Sequence, residues 1–204
     1  MEIISAEYTG SYPRESACPP HPHPEYAFIG RSNVGKSSLI NALMKKKGLA
    51  LVSKKPGKTA MINYFLVNKR WFLVDLPGYG YAQRSKSTRR KWIQMTDGYL
   101  QMRENLMCTF VLIDSNVPPQ AIDLEFINKL GEMRIPIAIV FTKADRRKGA
   151  DKEGNREAFR KRLLESWETM PPEFTTSAES GEGREELLDY IEEVNARYRS
   201  VKGG

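Results

Sequence analysis

Residues 30–38 read Gly-Arg-Ser-Asn-Val-Gly-Lys-Ser-Ser. Gly30, Gly35, Lys36 and Ser37 fall in the register G-x-x-x-x-G-K-[ST], a spacing suited to holding a polyphosphate. The glycines let the backbone through Arg31, Ser32, Asn33 and Val34 curl, so that its N–H groups point inward at phosphate oxygens. A helix opening at Lys36, Ser37 and Ser38 adds the positive end of its dipole. Lys36 is then placed to reach the β- and γ-phosphates as a catalytic group, and Ser37 to hold Mg²⁺. The plainer alternative is a glycine-rich turn with an incidental lysine. The flanks argue against it: Tyr26-Ala27-Phe28-Ile29 reads as a buried strand and Ser38–Leu43 as a helix.

Four further segments have the chemistry to complete such a site. Leu73-Val74-Asp75-Leu76-Pro77-Gly78 is an apolar strand that ends in an acid, then Pro and Gly. A carboxylate there can hold Mg²⁺, usually through water; the competing reading of Asp75 is a helix cap. Gly78 offers a backbone N–H that can approach a γ-phosphate with no side chain in the way. Thr59, beside Gly57 and Lys58, lies between Ser37 and Asp75 in the chain, where a threonine can ligate Mg²⁺ only while a γ-phosphate is present. Thr142-Lys143-Ala144-Asp145 follows the apolar strand Ile137–Phe141. Guanine presents N1–H and a 2-amino group as adjacent donors. The Asp145 carboxylate can accept both, whereas adenine offers no such pair. Lys143 can lay its aliphatic stem along the base. Ser177-Ala178-Glu179, after the strand Phe174-Thr175-Thr176, can donate a backbone N–H to guanine O6.

These segments need a frame that brings them to one place. From residue 25 the pattern alternates strand and helix, which implies an α/β fold with a mostly parallel sheet and helices on both faces. Strands are expected near 25–29, 61–67, 70–75, 108–114, 135–141 and 173–176. Helices are expected near 36–46, 88–104, 120–132, 152–168 and 182–199. Asn68-Lys69 is too short for a crossover, so the second and third strands form an antiparallel hairpin at the edge of a six-stranded sheet. Residues 1–24, with prolines at 13, 19, 20, 22 and 24, read as an extended lead in which His21 and His23 sit in a solvent-exposed loop. Residues 25–200 read as a single domain and 201–204 as a flexible tail.

The 204 residues carry a net charge of +7, unevenly spread. Between Lys45 and Lys91 there are 13 basic residues and a single acid, Asp75. A solvated helix face mixes signs, so this imbalance points to a polyanionic partner, nucleic acid or an anionic membrane. No apolar run approaches the ~20 residues needed to span a bilayer. No signal pattern opens the chain. The expectation is a cytoplasmic protein without stable membrane insertion, a monomer, with Cys18 and Cys108 as free thiols.

Taken in order, Gly30–Ser37, Thr59, Asp75–Gly78, Thr142–Asp145 and Ser177–Glu179 resemble the five motifs of the P-loop GTPases. Gly30 to Asn41, Pro56-Gly57-Lys58-Thr59 and Asp75-Leu76-Pro77-Gly78-Tyr79-Gly80-Tyr81-Ala82 closely resemble the bacterial EngB-type (YsxC-type) ribosome-biogenesis GTP-binding proteins, related to the Era/TrmE-like GTPases. The resemblance implies a three-layer, Ras-like G domain that binds GTP and GDP, with Mg²⁺ at Ser37 and Thr59. It implies a role in assembling the large ribosomal subunit and a link to normal septation. The basic stretch fits a precursor particle and its rRNA as the partner. It also raises K⁺ at Asn33 as a helper of hydrolysis, against the alternative that Asn33 only stabilises the loop.

The residue after Gly78 is Tyr79, where Ras-like enzymes carry a water-positioning glutamine. Gln83, the nearest glutamine, lies too far along. Slow intrinsic hydrolysis stimulated by a partner or an ion is therefore expected. The alternative function is a non-catalytic guanine-nucleotide sensor docking on a protein or membrane at the division site. A P-loop kinase would need an acceptor site and lid.

Overall fold

The computed structural model describes residues 1–50, 61–80, 86–145 and 151–202; its account of Lys86, Thr88, Arg89, Val201 and Lys202 is confined to the backbone. Gly57, Lys58 and Thr59 lie outside the described residues, as do Gln83 and Arg84.

Among the described residues, seven strands and five α-helices follow one another: β1 (Ala6–Tyr12), β2 (Glu25–Gly30), α1 (Lys36–Leu43), β3 (Ile62–Val67), β4 (Trp71–Asp75), α2 (Lys86–Met102), β5 (Leu106–Asp114), α3 (Ala121–Glu132), β6 (Ile137–Thr142), α4 (Lys152–Leu163), β7 (Glu173–Thr175) and α5 (Arg184–Lys202). The sheet order is β1-β3-β4-β2-β5-β6-β7. Pairing is parallel from β4 through β7, and β3 runs antiparallel to both its neighbours. Strand residues alternate between two cores. Tyr26 and Phe28 face α1 and α5, packing with Leu39, Ile40, Leu43 and Leu187. Ala27 and Ile29 face the other way, toward Tyr99, Leu124, Phe126 and Ile127 of α2 and α3. A strand covered on both faces is apolar throughout, which is why β2, β5 and β6 stand out in the sequence.

Four expectations need correction. The sheet has seven strands, not six, and the hairpin strand β3 is not its edge. The lead is not merely extended, because Ala6–Tyr12 adds β1 along β3. Asn68 explains the docking. Asn68 and Lys69 take positive φ (50° and 54°), as a tight hairpin turn requires. The Asn68 side-chain oxygen then accepts from the Ile4 and Ser5 N–H groups at 2.7 and 3.1 Å. His21 is packed rather than solvent-exposed: it lies 3.1 Å from the Glu25 carboxylate, with its ring 4.2 Å from that of Phe72. Val201 and Lys202 belong to α5 rather than to a tail, and Gly203 and Gly204 lie outside the described residues.

Glu25 enters the sheet fully buried and accepts from Tyr64 Oη (2.9 Å), Tyr99 Oη (2.6 Å) and Arg103 Nε (2.6 Å). Burial alone would raise its carboxyl; the hydrogen bonds from His21 and Tyr99 and the Arg103 charge outweigh it, and the net shift is downward. This network anchors the lead at the end of the sheet opposite Gly30. Cys18 and Cys108 are free and buried. Among the described residues, no helix is long and apolar enough to cross a membrane.

Candidate functional site

The carboxyl ends of β2, β4, β5, β6 and β7 lie side by side, and each expected site loop that is described leaves from one of them. The chain turns to opposite sides of β2, toward β4 and toward β5, so a crevice opens above its end. β6 lies two strand spacings from β2, about 10 Å. A group held at β2 can therefore extend to one read at β6.

The loop Arg31–Gly35 rises from β2. Asn33 takes φ 65° and Gly35, at the N-cap of α1, takes φ 103°. Gly35 suits that left-handed turn, and its Cα faces the stem of Lys143, whose Cε would be 3.6 Å from an added Cβ. Ser32, Asn33 and Ser38 are exposed, Val34 is buried under the loop, and Ser37 is half-buried in the first turn of α1. Arg31, expected among the nucleotide contacts through its backbone N–H, commits its side chain to Asp123 of α3, with Nε at 2.9 and 3.0 Å from the two carboxylate oxygens.

Lys36 Nζ contacts Asp75 Oδ1. Burial draws the Lys36 ammonium down from its ordinary value, to about 7. Asp75 is 9% exposed at the end of β4, with Asn63 Nδ2 3.4 Å from its other oxygen. Ser11 Oγ donates to Asn63 Oδ1 at 2.5 Å, which turns the amide nitrogen toward Asp75. The Ser37 hydroxyl and the Asp75 carboxylate are hard oxygen donors. With phosphate oxygens and water they suit Mg²⁺, which needs few protein ligands when a polyphosphate supplies the rest. Among the described residues there is no cluster of three His, Cys, Asp or Glu side chains able to hold a metal by themselves.

Leu76 is buried, and its N–H bonds Phe28 O at 3.0 Å. Pro77 O accepts from Trp92 Nε1 of α2 at 3.0 Å. Gly78 follows against the phosphate loop: a Cβ there would lie 2.4 Å from Gly30 O. Tyr79 then turns away. Its ring is 4% exposed and stacked on Phe126 at 4.3 Å, and its hydroxyl donates to Asp123 Oδ1 at 2.8 Å. Burial pushes the phenol pKa up, so it remains a donor. The ring is therefore not available to orient a water molecule.

The other half of the site is tied to the first. Thr142 Oγ1 donates to Val34 O at 2.6 Å, and Lys143 Nζ donates to Asn33 O at 2.8 Å. Lys143, at φ 61°, also pairs with Asp114 Oδ2 at 2.6 Å. Burial would raise the Asp114 carboxyl, but hydrogen bonds from Lys143 and Asn116 bring it below its ordinary value. Ala144 N–H bonds Thr176 O at 3.1 Å, and the buried Ser177 hydroxyl donates to Asp145 Oδ1. Ser177 Oγ also accepts from Glu179 N–H at 3.2 Å. Ala178 and Glu179 form the exposed crown of that turn. The arrangement can present loop N–H groups and an ammonium to phosphates, and a carboxylate to a base about 10 Å away.

Sequence reasoning missed Asp123, Asn63, Asp114 and Asn116. Only Asp123 left a signal: it occupies an inward position of α3 at helical spacing with Phe126, Ile127 and Leu130, where an acid is out of place. The basic stretch also divides. Lys45–Lys47 follow the far end of α1, and Lys69 and Arg70 lie in the hairpin, at the end of the sheet opposite the loops. Arg90 and Lys91, exposed on α2, remain on the segment that follows Gly78.

A family model described as 50S ribosome-binding GTPase matches residues 25–143. A protein named probable GTP-binding protein EngB from Phocaeicola vulgatus is 52% identical over 202 residues, covering 99% of this chain and all of the relative. One of the same name from Christiangramia forsetii is 53% identical over 195 residues, covering 96% and 98%. A solved crystal structure of a probable GTP-binding protein engB superposes with a TM-score of 0.67 at 24% identity, over 85% of this chain and 99% of that one, a likeness of fold.

Proposed function

The chain belongs to the EngB-type GTP-binding proteins of the 50S ribosome-binding GTPase family and is a GTPase; from that premise we propose that it serves as a nucleotide-dependent switch in assembly of the large ribosomal subunit. In this reading Gly30–Ser38 cradle the phosphates and Asp145 reads guanine, with Lys143 along the base and the Ser177–Glu179 turn above O6. Ser37 and Asp75, and in the triphosphate form Thr59, would hold Mg²⁺, which would supply positive charge beside the phosphates. Lys36 and the loop N–H groups hold the charge that develops as the γ-phosphate leaves, and Gly78 N–H meets that phosphate.

The observation that carries the reading is the tie between the two halves of the site. Thr142 and Lys143 bond the carbonyls of Val34 and Asn33, so phosphate grip and base choice are built on one rigid frame. The partner assignment rests on charge: 13 basic residues and a single acid fall between Lys45 and Lys91, and among the described ones Arg90 and Lys91 lie exposed on α2, the helix that follows Gly78 in the chain.

The test is co-sedimentation of the full chain with large-subunit precursor particles, loaded with GDP or a non-hydrolysable GTP analogue, across a salt series. Tighter binding in the analogue state, weakening steeply with salt, is expected. Equal binding in both states defeats the switch, and capture by anionic liposomes in place of particles transfers the protein to a membrane role.

Hydrolysis needs help, because Tyr79 is buried against α3. We assign that help to K⁺ near Asn33, which sits exposed on the loop at φ 65°. Single-turnover hydrolysis is expected to run about tenfold or more faster in K⁺ than in Na⁺, the scale of one added charge stabiliser. Equal rates in the two buffers remove the cation from the mechanism.

A further inference from the structure

Asp123 is an acid in the core. It is 1% exposed in the first turn of α3, a helix that carries none of the five nucleotide motifs. Burying a carboxylate is costly unless it is paired and hydrogen-bonded, and its two partners come from two different loops. Arg31, the first residue after Gly30, donates through Nε to both oxygens at 2.9 and 3.0 Å. Tyr79, the first residue after Gly78, donates its hydroxyl to Oδ1 at 2.8 Å. The same two residues meet along the backbone, as an isolated parallel bridge between Arg31 and Tyr79. Tyr79 N–H bonds Gly30 O at 3.3 Å. Gly78 presses on that same carbonyl, close enough that a Cβ would sit 2.4 Å from it.

We infer that Asp123 is a positioning residue that sets the preference of the site for the triphosphate. By holding Arg31 and Tyr79 on one buried carboxylate, it pins the start of the phosphate loop to the segment after β4. That fixes the Gly78 N–H where a third phosphate arrives. The diphosphate is held by the loop and α1, which β2 and the Thr142 and Lys143 bonds also support, and not by Gly78, so the pin bears chiefly on the third phosphate. The stack of Tyr79 on Phe126 keeps the ring in place when the hydroxyl is removed, which separates the hydrogen bond from the packing. The inference rests on the reading of Gly30–Ser37 and Gly78 given above.

The experiment measures the affinity of the full chain for Mg²⁺–GDP and for a Mg²⁺-bound non-hydrolysable GTP analogue, in the parent, Asp123→Asn, Tyr79→Phe and the double variant. Asp123→Asn is expected to weaken the analogue about tenfold, the scale of a lost charge-assisted contact, with GDP affinity within about twofold. Tyr79→Phe is expected to shift the same ratio about threefold, and to add nothing on top of Asp123→Asn. A parallel loss of both nucleotides, or no loss of either, overturns the inference. Should Asp123→Asn fail to fold, Tyr79→Phe decides alone. If the parent binds no guanine nucleotide, the functional reading falls and takes this inference with it; a parent that binds normally isolates the failure to Asp123.

Discussion

Asp145→Asn is expected to lower affinity for GTP and GDP by about 100- to 1000-fold and to leave phosphate binding intact. The wild-type carboxylate offers two acceptor oxygens to two adjacent donors on guanine, in a charge-assisted pair. An asparagine keeps one acceptor and turns its amide N–H₂ toward a donor on the base. The loss is one charge-assisted hydrogen bond plus a donor facing a donor, about 3 to 4 kcal/mol together. Asp145 is exposed, and the Ser177 hydroxyl that it accepts can bond the amide oxygen instead. The edge of xanthine has N1–H beside a C2 carbonyl, so an asparagine oxygen and N–H₂ match it. The variant should therefore prefer xanthosine diphosphate to GDP. Calorimetry with GDP, ADP and xanthosine diphosphate reads all of this; undiminished GDP binding would move guanine recognition away from Asp145.

Gly78→Ala is expected to cut single-turnover GTP hydrolysis by about 100-fold or more and to cost about 1 to 3 kcal/mol of stability. The added methyl would lie 2.4 Å from Gly30 O, a backbone atom with no rotamer to adopt. Neither side can yield freely. Gly30 ends β2, paired with β5 as far as Leu112, and Leu76 N–H is held by Phe28 O at 3.0 Å. The segment after β4 has to lift from the phosphate loop by about an ångström to restore contact distance, and misplacement on that scale costs about two orders of magnitude in rate. Urea unfolding and rapid-quench hydrolysis of the variant measure the two effects. A stable variant with unchanged hydrolysis would mean that the close approach of Gly78 to Gly30 plays no part in catalysis.

The central elements were legible because their signals are local. β2, β5 and β6 are buried on both faces and read as largely apolar runs, interrupted inside β5 by Thr109, and Asn68-Lys69 leaves no length for anything but a hairpin. β1 was not legible. Ala6–Tyr12 alternates Ala6, Tyr8 and Tyr12 with Glu7, Thr9 and Ser11, but Gly10 and a register shift between Tyr8 and Gly10 interrupt it and only Ala6 is buried, so its strand state comes from pairing with residues 50 to 61 positions away. The packing of His21 is of the same kind, since it depends on Phe72 and Glu25 meeting it across the sheet.

What the sequence indicated by itself is the chemistry on offer: a glycine loop with the spacing for phosphate, an acid ending β4, another following β6, and the class of fold that presents them. Glycine spacing and the donor pattern of guanine are properties of residue types and short segments, so they survive without coordinates. The tertiary structure decided which of those groups are free to act. Arg31 is drawn off to Asp123 and Tyr79 is folded under α3, while the basic stretch is divided between the two ends of the sheet. Each of these outcomes depends on partners brought close only by the strand order and by the helices packed over it. A side chain's commitment is settled by burial and by the nearest opposite charge, and neither is written in the residues beside it.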